Sequence, residues 1–123
     1  MASKPREDKR RSRIAKICLA LPQAVRRDSG PHSAFRVKGR TFAYYLDDHH
    51  GDGIVSVNCK AAGGENEALV TSAPTRYYLP AYLARHGWVG LRLDVGTVDW
   101  DAVEELVHSS YRLIATTRLA GRA

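Results

Sequence analysis

The chain has 123 residues, 19 Lys/Arg against 13 Asp/Glu, and a formal net charge of +6. That length buries one modest core without staples, and no apolar run nears the roughly 20 residues of a membrane span. Two cysteines with no Cys-x-x-Cys pair exclude a zinc ribbon or dithiol motif and read as buried small hydrophobes in a reducing cytosol.

Residues 1–13, MASKPREDKRRSR, carry six basic residues and no apolar periodicity, so they are read as a flexible basic tail running into a helix. Helical spacing of Ile14, Ile17, Cys18 and Leu21 predicts that helix from about Asp8 to Leu21, where Pro22 stops it. Gln23 to Arg27 is read as a further helical turn, and Ser29-Gly30-Pro31 as a loop. Alternation of Phe35 and Val37 with Arg36 and Lys38 predicts a strand over 33–38, and Lys38-Gly39 a tight hairpin turn. A second strand follows over Thr41 to Leu46 with Phe42, Tyr44 and Leu46 on one face. An Asp- and Gly-rich loop leads to a third strand with Val55, Val57 and Cys59 aligned. Gly63-Gly64 precedes a short helix, Glu65 to Thr71, and Thr75 to Tyr78 reads as a short strand. Pro80 to His86 reads as a short helix stopped by Gly87. Trp88 to Asp94 is a strand, and Asp99 caps a long closing helix with Trp100, Val103, Val107, Ser110 and Ile114 on one stripe. This order specifies an α+β fold: an antiparallel sheet packed by N-terminal and C-terminal helices. The expected organisation is a tail over 1–13, one domain over 14–116 and a C-terminal tail over 117–123.

From Ile14 to Ala115 the chain resembles the MmcQ/YjbR family of small bacterial proteins. The resemblance rests on Leu21-Pro22, His32, Phe35-Arg36-Val37, Gly39-Arg40, Phe42, Lys60, Tyr82-Leu83, His86-Gly87-Trp88-Val89, Trp100 and Ser110-Tyr111, taken in order. Family members usually carry lysine after the hairpin glycine, where this chain has Arg40; the charge is kept and the donor geometry changes. The resemblance implies a compact domain with a curved antiparallel sheet, likened to secretion-chaperone and frataxin-like folds. It also implies DNA binding, through a winged-shape analogy, and brings no catalytic residues with it.

Charge is unevenly placed. Residues 1–40 hold twelve Lys/Arg and three Asp/Glu, a net of +9, whereas residues 41–123 hold seven and ten, a net of −3. One basic end points to phosphate or another polyanion; the bland alternative is a solubilising tail. The expected contacts are Arg36, Lys38 and Arg40 on the hairpin, with Arg10, Arg11, Arg13 and Lys16 on the first helix, and Arg26 and Arg27 as a third group. Tyr45, expected opposite Phe42 and Tyr44, is the aromatic best placed to stack on bases. The Asp47-Asp48-His49-His50-Gly51-Asp52 run has metal-ligand side chains, but consecutive residues point apart and the pattern is not an EF-hand, so it is read as a hydrophilic loop. The basic first helix also lacks the carboxylates of an iron-binding ridge. His86, His32 and Tyr82 have no nucleophile at a catalytic spacing, and Gly63-Gly64 lacks a phosphate-loop pattern. The expectations are therefore no catalytic residue, no metal and no cofactor. The expected partner is DNA or another nucleic acid, or alternatively an acidic protein bound by an interaction or chaperone-like module. The expected place is the cytoplasm, with no signal peptide and no membrane partner. Oligomeric state, nucleic-acid type and pathway are not legible at this level.

Overall fold

A computed structural model describes residues 8–120, with side chains through residue 116. The elements are α1 (Lys9–Leu19), β1 (Val25–Ser29), β2 (His32–Val37), β3 (Arg40–Asp47), β4 (Val55–Lys60), α2 (Glu65–Ser72), β5 (Tyr77–Tyr78), β6 (Trp88–Arg92) and α3 (Trp100–Ala120). The six strands form one antiparallel sheet in the order β1-β2-β3-β4-β6-β5. All three helices lie on one face of it, and no described helix is long and apolar enough to cross a membrane.

Helix α1 buries Ile14 and Cys18 of the expected stripe together with Ala15, while Ile17 is half-buried and the helix ends at Leu19, before Leu21. It starts at Lys9 because the Asp8 carboxylate accepts the Arg10 backbone N–H at 2.8 Å, an N-cap that composition alone hides. The boundary drawn at residue 13 therefore falls inside the helix. The rest of that tail, residues 1–7, lies outside the described residues. At the other end, α3 continues to Ala120, past the boundary drawn at residue 116.

Three expected elements change. Gln23 to Arg27 is not a helical turn: Val25–Ser29 is an edge strand, and Gly30-Pro31 is the turn into β2. Its sequence, VRRDS, shows no apolar alternation because an edge strand with both faces partly wet needs none; pairing with β2 holds it. Pro80 to His86 forms only a 3-10 turn, Ala84–His86, before the left-handed Gly87. In β3 the register against β2 shifts by one residue between Phe35 and Arg36, a β-bulge. Phe42 and Ala43 are both buried there, and the alternation beyond them inverts: Tyr45 enters the core and Tyr44 turns to the opposite face. Tyr45 is therefore not available to stack on bases.

The Lys38-Gly39 turn forms as its sequence requires, both residues having positive φ (52° and 77°), which glycine accepts without a Cβ penalty. The core joins Phe35, Val37, Phe42, Val57, Cys59 and Val89 of the sheet to Ile14, Cys18, Val103, Val107 and Ile114 of the helices. Cys18 and Cys59 are free thiols inside it, and burial raises the pKa of both, which makes them inert as nucleophiles.

Candidate functional site

With the helices gathered on one side, the other face of the sheet is uncovered by any described helix. Side chains alternate across a strand, so cross-strand register assigns the residues of this face. The middle row is Arg27, Ala34, Tyr44, Asn58, Gly90 and Tyr78. The row toward the hairpin holds Val25, Arg36 and Thr41, then Lys60 and Trp88. The row at the other end runs through Ser29, His32, Leu46, Ser56 and Arg92.

The floor is a polar cluster. Tyr78 comes from the edge strand, and its ring lies across Gly90 where any Cβ would collide with it. The Tyr78 hydroxyl thereby reaches the Ser56 hydroxyl at 2.8 Å and accepts from Asn58 Nδ2 at 3.1 Å. Asn58 and Ser56 are fully buried, and Asn58 Oδ1 has no hydrogen-bond partner among the described residues. Beside the floor stand Tyr44 and Trp88, with ring centroids 5.6 Å apart and tilted by 45°. Around them are Arg27, Arg36 and Lys60, with Lys38 at the hairpin tip. No strand residue of this face is acidic. Its remaining cation, Arg92, sits at the far end bonded to Asp94 at 3.0 Å, which holds that carboxyl below its ordinary range. Strands lie about 4.8 Å apart, so Arg36 on β2 and Lys60 on β4 are about 10 Å apart across the sheet. Cations so placed, with aromatic edges between them, suit a polyanion whose charges recur along a chain.

The seven basic residues expected to act together are dispersed. Arg36 lies on the open face, where its guanidinium donates to the carbonyl of Gly39 while Nε is buried without a partner among the described residues. Lys38 is in the turn, and Arg40 pairs with Val37, which puts it on the helix side. Arg10 bonds Asp8 at 2.7 Å. Arg11 donates to the Ser33 hydroxyl at 2.9 Å and the His32 carbonyl at 2.9 Å, and lies 3.3 Å from Asp28. Arg13 lies over the Trp100 ring at 4.4 Å, and Lys16 borders the cleft between α1 and α3. Helix α1 and the open face are thus on opposite sides of the sheet. Of the third group, Arg26 turns to the helix side and bonds Asp28 at 2.8 Å, while Arg27 joins the open face. Sequence reasoning missed Lys60, Tyr44, Trp88, Asn58 and Tyr78 as one surface. The β-bulge turns Tyr44 to this face and leaves no mark in composition, and the short strand expected over Thr75 to Tyr78 forms as the two-residue β5, whose pairing with β6 is set by the fold.

The aspartate and histidine loop folds on itself. The Asp48 carboxylate accepts from Gly53 N–H at 2.7 Å and the Asp52 carboxylate from Ile54 N–H at 2.9 Å, which ties both to their own backbone. Among the described residues no three His, Cys, Asp or Glu side chains gather as a metal-binding group.

Comparison with known proteins agrees with this architecture. The chain is similar in structure to the crystallised Deinococcus radiodurans protein DR2400, a DUF419 domain, with a TM-score of 0.68 at 25% identity, over 85% of this chain and 77% of that one. None of the curated proteins matches it. The YjbR family model matches residues 19–113, a span that runs from the end of α1 into α3 and takes in the whole sheet. The chain belongs to the YjbR family.

Proposed function

We propose that this domain is a non-catalytic, cytoplasmic nucleic-acid-binding protein that takes the phosphate backbone on the open sheet face. Arg27, Arg36, Lys38 and Lys60 neutralise phosphates, and the partly exposed Tyr44 ring meets bases, backed by the buried Trp88. The observation that carries the reading is a sheet face that no described helix covers, whose strands place Arg27, Arg36 and Lys60 with no acidic strand residue among them. No described helix is presented to read a groove from this face, so the binding is sequence-independent and salt-sensitive.

The test is fluorescence anisotropy with single- and double-stranded oligonucleotides across a salt series. In the triple variant Arg36→Glu, Lys38→Glu, Lys60→Glu the slope of log affinity against log salt should fall by about two to three, close to one per lost phosphate contact. Arg112→Glu, on α3 and away from this face, should leave the slope nearly unchanged. Equal effects of the two variants would reduce the binding to general charge and remove the face from the reading.

A further inference from the structure

Helices α1 and α3 lie side by side on the covered face of the sheet with an open groove of about 860 Å³ between them. They run in the same direction. Arg13 lies over Trp100 near one end, and beyond the other end of α1 the Pro22 carbonyl accepts the Tyr111 hydroxyl at 2.7 Å. The floor is apolar, made by Ile17, Leu21 and Trp100. The two walls have opposite charge: Lys9, Arg13 and Lys16 stand on α1, and Asp101 and Glu104 on α3. No ion pair crosses the groove among the described residues.

We propose that the rims of the groove are the interface of a homodimer, and that a second copy of this chain closes over it. A two-fold axis laid along the groove keeps every residue at its own height and exchanges the two sides. The basic wall of one copy then faces the acidic wall of the other, twice over. An axis laid across the groove would set α1 on α1 and repel. The heights agree as well. Lys16 is three residues past Arg13 and Glu104 four past Trp100, about 4.5 and 6 Å along their helices, so Lys16 meets the partner's acidic wall at Glu104. Arg13 likewise meets it near Asp101. Closing the two grooves on one another also withdraws Ile17, Leu21 and Trp100 of both copies from bulk water, which charge alone does not do. This inference does not rest on nucleic-acid binding, since the open sheet face lies on the opposite side and would point outward from both copies. A dimer would present two such faces, and a long polyanion would bind it with avidity.

Sedimentation equilibrium of the full chain, with no nucleic acid present, tests the interface. A dimer should form at low salt and weaken as salt rises. Lys16→Glu and Glu104→Lys, each confirmed as folded by circular dichroism, should each raise the dimer dissociation constant at least about tenfold, since each reverses a charge pair twice in one dimer. The double variant Lys16→Glu, Glu104→Lys should restore association, because the exchanged charges meet again across the two-fold axis. A chain that stays monomeric at millimolar concentration and low salt overturns the proposal. So does a dimer indifferent to either single change, or a double variant as dissociated as the single ones.

Discussion

His32 is the residue whose protonation state the fold constrains most directly. Its Nδ1 accepts the Asp47 backbone N–H at 3.1 Å, which only the unprotonated nitrogen can do. Burial lowers its pKa below the ordinary 6.5, and His49, with its ring centroid 5.2 Å away, adds to the shift along with Arg11. Asp47 and Asp52 oppose it more weakly. A histidine with a lowered pKa in the fold contributes stability that is complete above its unfolded value and is lost as pH falls through the folded one. Stability by urea denaturation should therefore decline as pH falls below about 6.5, and His32→Asn, which keeps an acceptor but does not titrate, should flatten that decline. Equal slopes for the two proteins would mean that His32 does not carry the effect. The paired carboxylates act in a separate window. Hydrogen bonds from Arg10, Arg26 and Arg92 lower the pKa values of Asp8, Asp28 and Asp94, whose contributions persist above 3.8 and fade only as pH drops through their lowered values. Tyr45 titrates nowhere near neutrality: burial pushes it up to about 12, and its hydroxyl has no partner among the described residues.

The β-bulge in β3 is the element on which the candidate site depends, and α3 secures it. The bulge takes the Phe42 carbonyl out of the regular ladder. Ser110, fully buried on α3, donates to that carbonyl at 2.6 Å and accepts the Lys60 N–H at 3.0 Å. Tyr111 beside it packs edge-on against Phe42 at 5.3 Å. The Ser-Tyr pair, whose serine the helical stripe already turns toward the sheet, is thus a structural fastener between helix and sheet. Ser110→Ala leaves a buried donor and a buried acceptor unsatisfied and should cost about 2 kcal/mol in urea denaturation. A cost below about 0.5 kcal/mol would show that Phe42 and Lys60 find other partners. This element also marks the limit of what the sequence discloses. The hairpin was legible because Lys38-Gly39 has the chemistry its turn demands, and α1 and α3 because their apolar stripes repeat at helical spacing. The bulge was not, since one extra residue changes no composition yet reverses which of Tyr44 and Tyr45 faces the core. β1 was not legible either, because an edge strand of Val, Arg, Arg, Asp and Ser is fixed by its neighbour rather than by its own pattern.

At the scale of the molecule, the charge imbalance along the chain becomes an imbalance across the sheet. Residues 1–40, with a net of +9, supply α1, β1, β2 and the hairpin, whereas β4, α2, β5, β6 and α3 come from the part with a net of −3. The sheet order keeps these halves apart, with β1 at one edge and β5 at the other. The basic character is therefore built into the folded domain and owes little to the first residues. Residues 1–7 contain Lys4, Arg6 and Glu7, a net of only +1 within that +9. A truncation at residue 13 cannot separate tail from domain, because it removes the Asp8 cap and the first turn of α1 along with the charges. The informative truncation ends at residue 7. Removing residues 1–7 should lower the slope of log affinity against log salt by no more than about two, one for each basic residue lost, and leave most of the binding in place. If that shortened chain instead lost its nucleic-acid affinity altogether, the leading residues would be the ligand contact and the open sheet face would carry none of it.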